Sequence, residues 1–359
     1  MKRARRGSPT RDRSAPPPVR PAERLLIETI PELDARRIAC TSVGRAQFAS
    51  EVARRVPESG VTCLYLDLYQ AEQARRSHAD APNLSIVCES DFPEVEYDAV
   101  ALPFLKNGEA ELARDLIQQS LLRLPVGGRM LCASDNPRDT WLHDELRKLF
   151  SKVTRRPAKD GVLYLATKRD DPKKLKEFRA EFKFRDGDRL IEAVSRPGVF
   201  SHRRVDPGAR ALLEVLDVGA GEKVFDIGCG CGALSLAAAG RAENVRVVAV
   251  DSNPRAVECT REGARRNGLE NIEARLNADA ECDDPASCDI VLMNPPYFSN
   301  FRIAEIFLQG ALAALKPSGR LLIVTKQPQW FVERLTPAVR ELTVAELRTY
   351  AVIRATERK

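Results

Sequence analysis

Val224-Phe-Asp-Ile-Gly-Cys-Gly-Cys-Gly232 is an apolar run that breaks into three alternating glycines and then enters the Ala- and Leu-rich stretch from Ala233. A short apolar run bounded by glycines reads as a buried strand, and the stretch after it as a helix. Working outward, Val245–Asp251, Ile272–Leu276, Asp289–Met293 and Arg320–Thr325 are further strand candidates. Pro254–Asn267 and Ile303–Leu315 are helix candidates, and Lys316–Gly319 is a turn. Upstream, Pro207–Leu216 reads as a helix, and Asp186-Gly187 joins Phe182–Arg185 to Arg189–Val194 as a hairpin. Strands alternating with helices predict an α/β domain built on a parallel sheet.

The N-terminal half repeats this pattern. Tyr97-Asp98-Ala-Val and Cys288-Asp289-Ile-Val each lead into a loop, a helix and a Gly-Arg turn. Asp98 and Asp289 are 191 residues apart, and so are Gly128 and Gly319. Cys63-Leu-Tyr-Leu-Asp67 parallels Val247-Val-Ala-Val-Asp251. A repeat of this length is a duplicated domain, since solenoid units run to about 20–50 residues. The copies differ where chemistry would sit: at this offset Asn294 falls on Pro103, and the glycine triplet is reduced to Gly44. The predicted organisation is a basic disordered tail (1–22), a degenerate domain (23–168), a linker with the hairpin (169–204) and a catalytic domain (205–359). The degenerate copy either presents RNA or stabilises its partner.

Of the 57 Lys/Arg and 51 Asp/Glu in 359 residues, residues 1–22 hold seven and one, a net of +6. The remaining chain carries fifty of each sign and is neutral. Such a basic, Pro-rich tail cannot bury enough to fold. It suits salt-sensitive attraction to phosphate, or serves solubility alone. The nine cysteines, an odd number set in apolar runs, fit free thiols in a reducing cytoplasm. With three histidines and only Cys229-Gly-Cys231 as a close cysteine pair, no metal site is expected. No apolar run approaches the roughly 20 residues of a membrane span. Nothing in the pattern demands more than a monomer.

Asp226-x-Gly228-x-Gly230-x-Gly232 departs from the G-x-G-x-x-G of dinucleotide sites. An acid two residues before the first glycine suits a cofactor with a cationic amino group and no phosphate, which is S-adenosylmethionine. The glycines let the backbone approach it closely. Asp251, with Ser252, ends the next strand, 21 residues beyond Gly230, where a carboxylate can accept from both ribose hydroxyls. Asn277-Ala-Asp279 follows the third strand, where adenine-facing residues belong, although Asp279 equally fits a solvated loop. A nicotinamide dehydrogenase shares the acid, but Asn294-Pro295-Pro296-Tyr297 fits no hydride chemistry. The two prolines stiffen that loop and remove two donors. The Asn294 amide oxygen and the Pro295 carbonyl can then accept from one NH₂ group and favour its pyramidal transition state. Tyr297 or Phe298 can stack on a planar substrate. The predicted reaction is direct methyl transfer to an exocyclic or amide nitrogen. The fold class is α/β, two tandem Rossmann-like domains of the class I S-adenosylmethionine-dependent methyltransferase type.

Over nearly everything after the tail, the chain resembles the small-subunit ribosomal RNA guanine-N2 methyltransferases of the RsmC type and their large-subunit relatives. The residues that carry the resemblance are Pro197-Gly-Val-Phe-Ser201, Val205-Asp-Pro-Gly208, Asp226–Gly232 and Asn294–Tyr297, behind a degenerate first domain. The resemblance implies a guanine N2 amine in ribosomal RNA or a ribosomal subunit as substrate. It also implies a pocket lined by Gly198–Ser201, with Phe200 and Ser201 at the substrate, and a first domain that helps engage RNA. The family commonly has Phe-His after the two prolines; here Tyr297-Phe298 stands there, and His202 is not an evident replacement. The alternatives are a protein-glutamine N5 methyltransferase, which usually carries a small helical N-terminal domain, a DNA adenine methyltransferase, and a non-catalytic RNA-binding assembly factor.

Overall fold

The computed structural model describes residues 18–172, 174–296 and 301–359. Most of the predicted tail lies outside them. Helix α1 (Pro21–Ile27) begins inside the span read as tail, and Ala22 is fully buried. The first domain continues with β1 (Arg37–Thr41), α2 (Gln47–Arg55), β2 (Gly60–Tyr65), α3 (Leu68–Ser77), β3 (Leu84–Cys88) and β4 (Ala99–Phe104). It closes with α4 (Ala110–Arg123), β5 (Arg129–Ser134), α5 (Trp141–Arg147), β6 (Val153–Ala158) and β7 (Gly161–Thr167). The hairpin is β8 (Ala180–Asp186) and β9 (Arg189–Ser195).

The second domain starts with α6 (Pro207–Val215), β10 (Lys223–Ile227), α7 (Ala233–Ala239), β11 (Arg246–Asp251), α8 (Pro254–Arg266), β12 (Ile272–Leu276) and β13 (Cys288–Met293). It ends with α9 (Arg302–Ala314), β14 (Leu315–Thr325), α10 (Pro328–Leu335), β15 (Val339–Leu347) and β16 (Tyr350–Arg358). The sheets are ordered β3-β2-β1-β4-β5-β7-β6 and β12-β11-β10-β13-β14-β16-β15, the same order shifted by nine strands. The fold is thus two tandem Rossmann-like domains of the class I methyltransferase type, and the repeat read from Asp98 and Asp289 is a repeat of topology. Both acids do the same work. Asp98 Oδ2 accepts from the Arg36 and Arg37 amides at 2.9 and 2.8 Å, and Asp289 Oδ2 from the Lys223 amide at 2.9 Å. Each pins the start of its first strand.

Two expectations need correction. The sheets are not wholly parallel, because β7 and β16 run antiparallel to β5 and β14 and to β6 and β15. The predicted turn at Lys316–Gly319 is absorbed into β14, as an irregularity between the pairs Cys288↔Leu315 and Ile290↔Arg320. A short insertion inside one strand has the composition of a turn, which is why it reads as one.

Both faces of each sheet are covered, which explains the near-continuous apolar strands. Along β10, Val224 joins the core on one face and Phe225 and Ile227 the core on the other. The hairpin, expected within the linker, packs into the second domain: Phe184, Ile191, Ala193 and Val194 share the core of α6 and α7. The boundary at residue 205 therefore falls inside the second domain's core.

Arg255, near the start of α8, joins the domains. It has no exposed surface and donates to the carbonyls of Ser90 and Pro197, both at 2.7 Å, with Asp115 at 2.7 Å and Asp91 at 3.2 Å. Truncating it removes the donor to the Ser90 and Pro197 carbonyls and the cation facing Asp115, while Asp91 keeps Arg196 and Asp115 keeps Gln119. Arg255→Ala is expected to cost about 3 kcal/mol. It should appear as a lower thermal midpoint together with protease cleavage between the domains; an unchanged midpoint would contradict this role.

Candidate active site

The carboxyl ends of β10, β11 and β13 converge, as open α/β sheets require of a binding crevice. The loop leaving β10 holds Gly228, Gly230 and Gly232 at φ of +77°, +57° and +79°, a region side chains rarely adopt. Space is short as well: a Cβ on Gly228 would stand 2.9 Å from the Phe307 ring, and one on Gly232 2.9 Å from Thr260 Oγ1.

Asp226 lies inside β10 and is 1% exposed. Its Oδ2 accepts from Ser235 Oγ at 2.5 Å, while its Oδ1 is buried with no hydrogen-bond partner among the described residues. Burial pushes this carboxyl up to about 6, opposed by the Ser235 hydroxyl and helped by the charge of Asp251. Asp251 ends β11. Its Oδ2 accepts from the Gly230 amide and its Oδ1 from the Asn253 amide, both at 2.9 Å, so it ties the glycine loop to the neighbouring strand. Burial raises it to about 6 too, against these backbone donors.

Asn294 follows β13 and is half-buried, with Pro295 buried behind it. Its amide nitrogen donates to Asp206 Oδ2 at 3.0 Å. Tyr297 and Phe298 lie outside the described residues. Phe200 is 62% exposed, and its carbonyl is 4.0 Å from where a Cβ on Gly230 would lie. The Gly198–Ser201 segment thus passes over the glycine loop, with Ser201 in the left-handed region at φ 56°.

Other expected residues are placed differently. Ser252 faces the first domain: its Oγ donates to Asp67 Oδ2 at 3.2 Å, and its carbonyl accepts from the Leu68 amide at 2.8 Å. Asn277 folds on itself, accepting from the Asp279 amide at 3.0 Å, and Asp279 is exposed, as a loop acid would be. His202 turns to Ser195, with Nδ1 2.7 Å from its Oγ, and burial holds its pKa down. Cys229 and Cys231 are buried free thiols, raised by burial. Among the described residues, no group of three or more His, Cys, Asp or Glu could hold a metal, and no helix is long and apolar enough to cross a membrane.

Sequence reasoning assigned no site role to Asp206, whose carboxylate meets Asn294. This residue, which entered that reasoning only within the Val205–Gly208 segment, caps α6 and also accepts from Asn294. Two further contacts cross from the first domain beside the crevice: Asp67 meets Ser252, and Tyr69 lies beneath Arg302, whose guanidinium carbon is 5.2 Å from the ring centroid. No local signal marks contacts made across a domain boundary.

Residues 191–354 match the family described as the methyltransferase small domain. The chain is similar to a ribosomal RNA small subunit methyltransferase C of Chromohalobacter salexigens, 37% identical over 45% of this chain and 50% of that protein. It therefore spans about half the length of this ribosomal RNA methyltransferase relative. It is also similar to the uncharacterized protein YbxB of Bacillus subtilis, 28% identical over 50% of this chain and 93% of that protein. Among solved structures, a T. thermophilus 16S rRNA N2 methyltransferase (RsmC) in complex with AdoMet and guanosine aligns with 94% of this chain and 92% of its own. The TM-score is 0.74 at 23% identity, a likeness of fold. Residues 191–354 thus match the methyltransferase small domain, in a chain that resembles RsmC-type enzymes and has the tandem fold of the T. thermophilus protein.

Proposed function

We propose that the second domain binds S-adenosylmethionine and methylates the exocyclic N2 amine of a guanine in ribosomal RNA of the small subunit, in the cytoplasm. The observation that carries this reading is the side-by-side placement of a buried, half-satisfied Asp226, a left-handed glycine loop tied to Asp251, and Asn294 held at the end of β13. These residues fit the cofactor. Asp226 Oδ1 is an orphaned buried acceptor of the kind that a cationic amino group satisfies. The glycines admit its chain, and Asp251 stands where ribose hydroxyls would be met.

When bound, the cofactor supplies a sulfonium methyl: its S–C bond breaks as the N–C bond forms, sulfur keeps the electron pair, and the amine's surplus proton passes to water. The protein's part is positioning. Asn294 Oδ1 and the Pro295 carbonyl accept from the amino group and align its lone pair, a geometry worth more as the nitrogen pyramidalises. Phe200 offers an exposed ring to an unstacked base, whose extrusion costs roughly a few kcal/mol. The names of the similar proteins support RNA as the substrate, and the duplicated domain weighs against the protein-glutamine reading.

The test is incubation with radiolabelled cofactor and separate pools of small-subunit RNA, large-subunit RNA and protein, followed by nucleoside analysis. Label in N2-methylguanosine is the expected result. Label confined to protein would overturn it.

A pH dependence follows from the two raised carboxyls. Burial makes their charged forms costly, so their contribution to fold stability is full below the unfolded value near 4 and is lost as pH rises through about 6. A cationic ligand needs the charged forms. Cofactor affinity should therefore fall about 10-fold per pH unit below 6 when one carboxyl governs, and about 100-fold when both do. Calorimetric titration from pH 5 to 8 checks this, and Asp226→Asn should bind weakly with a flatter profile. A flat wild-type profile would show that neither carboxyl gates cofactor binding between pH 5 and 8.

A further inference from the structure

We infer that Asp206 is a positioning residue for methyl transfer, setting which end of the Asn294 amide meets the acceptor amine; the inference rests on the function proposed above. Asp206 stands before Pro207 at the start of α6, and its Oδ2 receives two donors: the Ala209 amide at 3.1 Å and Asn294 Nδ2 at 3.0 Å. The first bond is an ordinary helix cap. The second contributes nothing to capping.

An asparagine amide has two nearly isosteric ends, one donating and one accepting, and a stiff loop alone does not choose between them. A carboxylate accepts and cannot donate. Set against Asn294, it selects the rotamer with the NH₂ on the carboxylate and leaves Oδ1 beside the bare backbone of Gly208. The flipped amide would place two acceptor oxygens face to face. An acceptor amine needs Oδ1, so the unflipped state is the productive one.

Gly208 supplies a separate observation. Glycine in the first turn of a helix is unfavourable by propensity. Here a Cβ would fall 2.7 Å from Asp206 Oδ2 and 3.3 Å from Asn294 Oδ1. The Asp206 carboxylate leaves no room for a Cβ at this position, and the Asn294 amide oxygen would stand tight against one.

The first domain provides an internal control. Its α1 packs on β5 and β7 as α6 packs on β14 and β16, and both helices begin with proline. Where the second domain has Asp206-Pro207-Gly208 and Asn294, the first has Arg20-Pro21-Ala22 and Pro103, and Arg20 makes no capping hydrogen bond. Carboxylate, glycine and amide are all absent from the copy without the Asn-Pro-Pro-Tyr loop. A cap needed only for folding would have been equally useful in both.

The experiment compares full-length wild type, Asp206→Ser, Asp206→Asn and Asn294→Ala, and Asp206→Ser combined with Asn294→Ala. Serine keeps the cap but is too short for Asn294; asparagine keeps an acceptor for both bonds. Cofactor affinity and thermal midpoint should stay near wild type in Asp206→Ser, while the single-turnover rate at saturating cofactor and acceptor falls about 10- to 100-fold. Asp206→Asn should recover most of the rate. In the Asn294→Ala background, Asp206→Ser should cost less than threefold, because the two act as one unit. A wild-type rate in Asp206→Ser, or an undiminished loss in the Asn294→Ala background, would overturn the inference.

A second readout needs no turnover. With ¹⁵N-asparagine labelling, the Asn294 side-chain NH₂ resonances, assigned by their loss in Asn294→Ala, should be shifted and protected from exchange in wild type. They should move to free-amide values in Asp206→Ser. Unprotected wild-type resonances would refute the pairing whatever the substrate. Methyl transfer to protein instead of RNA, with the same Asp206→Ser deficit, would overturn the substrate and leave the pairing intact.

Discussion

Asn294→Ala is expected to lower the rate of methyl transfer by about 10³-fold, equivalent to about 4 kcal/mol, while leaving cofactor affinity within about twofold of wild type. The asymmetry follows from where Asn294 stands. It follows β13, makes its side-chain bond to Asp206 and makes none to the glycine loop or Asp251. Removing it should therefore spare the cofactor site and abolish an interaction that strengthens as the amine pyramidalises. Asp206 keeps its cap to Ala209 in the variant, so the fold should hold. Single-turnover assay with saturating RNA, alongside calorimetry for the cofactor, separates the two quantities. A rate within threefold of wild type would remove Asn294 from the chemistry.

Asp251→Ala should show the opposite division, weakening the cofactor by about 10²-fold or more. A carboxylate accepting from two hydroxyls makes charge-assisted bonds of about 1.5–3 kcal/mol each. This carboxylate also anchors the Gly230 and Asn253 amides, so its loss loosens the loop that receives the cofactor. Asp251→Asn keeps one acceptor and should fall between alanine and wild type. Rate at saturating cofactor should change little in both. Unchanged affinity in Asp251→Ala would exclude the ribose assignment, and a rate loss at unchanged affinity would place Asp251 with the acceptor instead.

The two variants probe residues legible in the sequence for different reasons. Asp251 is found by its place at the end of an apolar run, 21 residues beyond Gly230, a distance set by one helix and one strand. Asn294 is found because the two prolines that follow it, directly after an apolar strand, mark a stiff loop at the crevice end of the sheet. Asp226 is equally visible as a position, yet its unpaired Oδ1 and its raised pKa are products of burial, which no spacing encodes. Ser252, chosen with Asp251, shows the limit of adjacency: one residue further along, the side chain leaves the crevice and meets Asp67 of the other domain.

By itself the sequence determined the alternation of strand and helix, the duplication, the glycine loop and the Asn-Pro-Pro-Tyr loop. These are local patterns, set by hydrophobic period and by the backbone demands of glycine and proline. Only the tertiary structure decided that β7 and β16 insert antiparallel, that the hairpin completes the second core, that Arg255 joins the domains, and that Asp206 reaches across 88 positions to accept from Asn294. Each of these depends on residues far apart in the chain meeting in a low-dielectric interior. There a single hydrogen bond or ion pair acquires a direction and a cost that its local sequence does not contain.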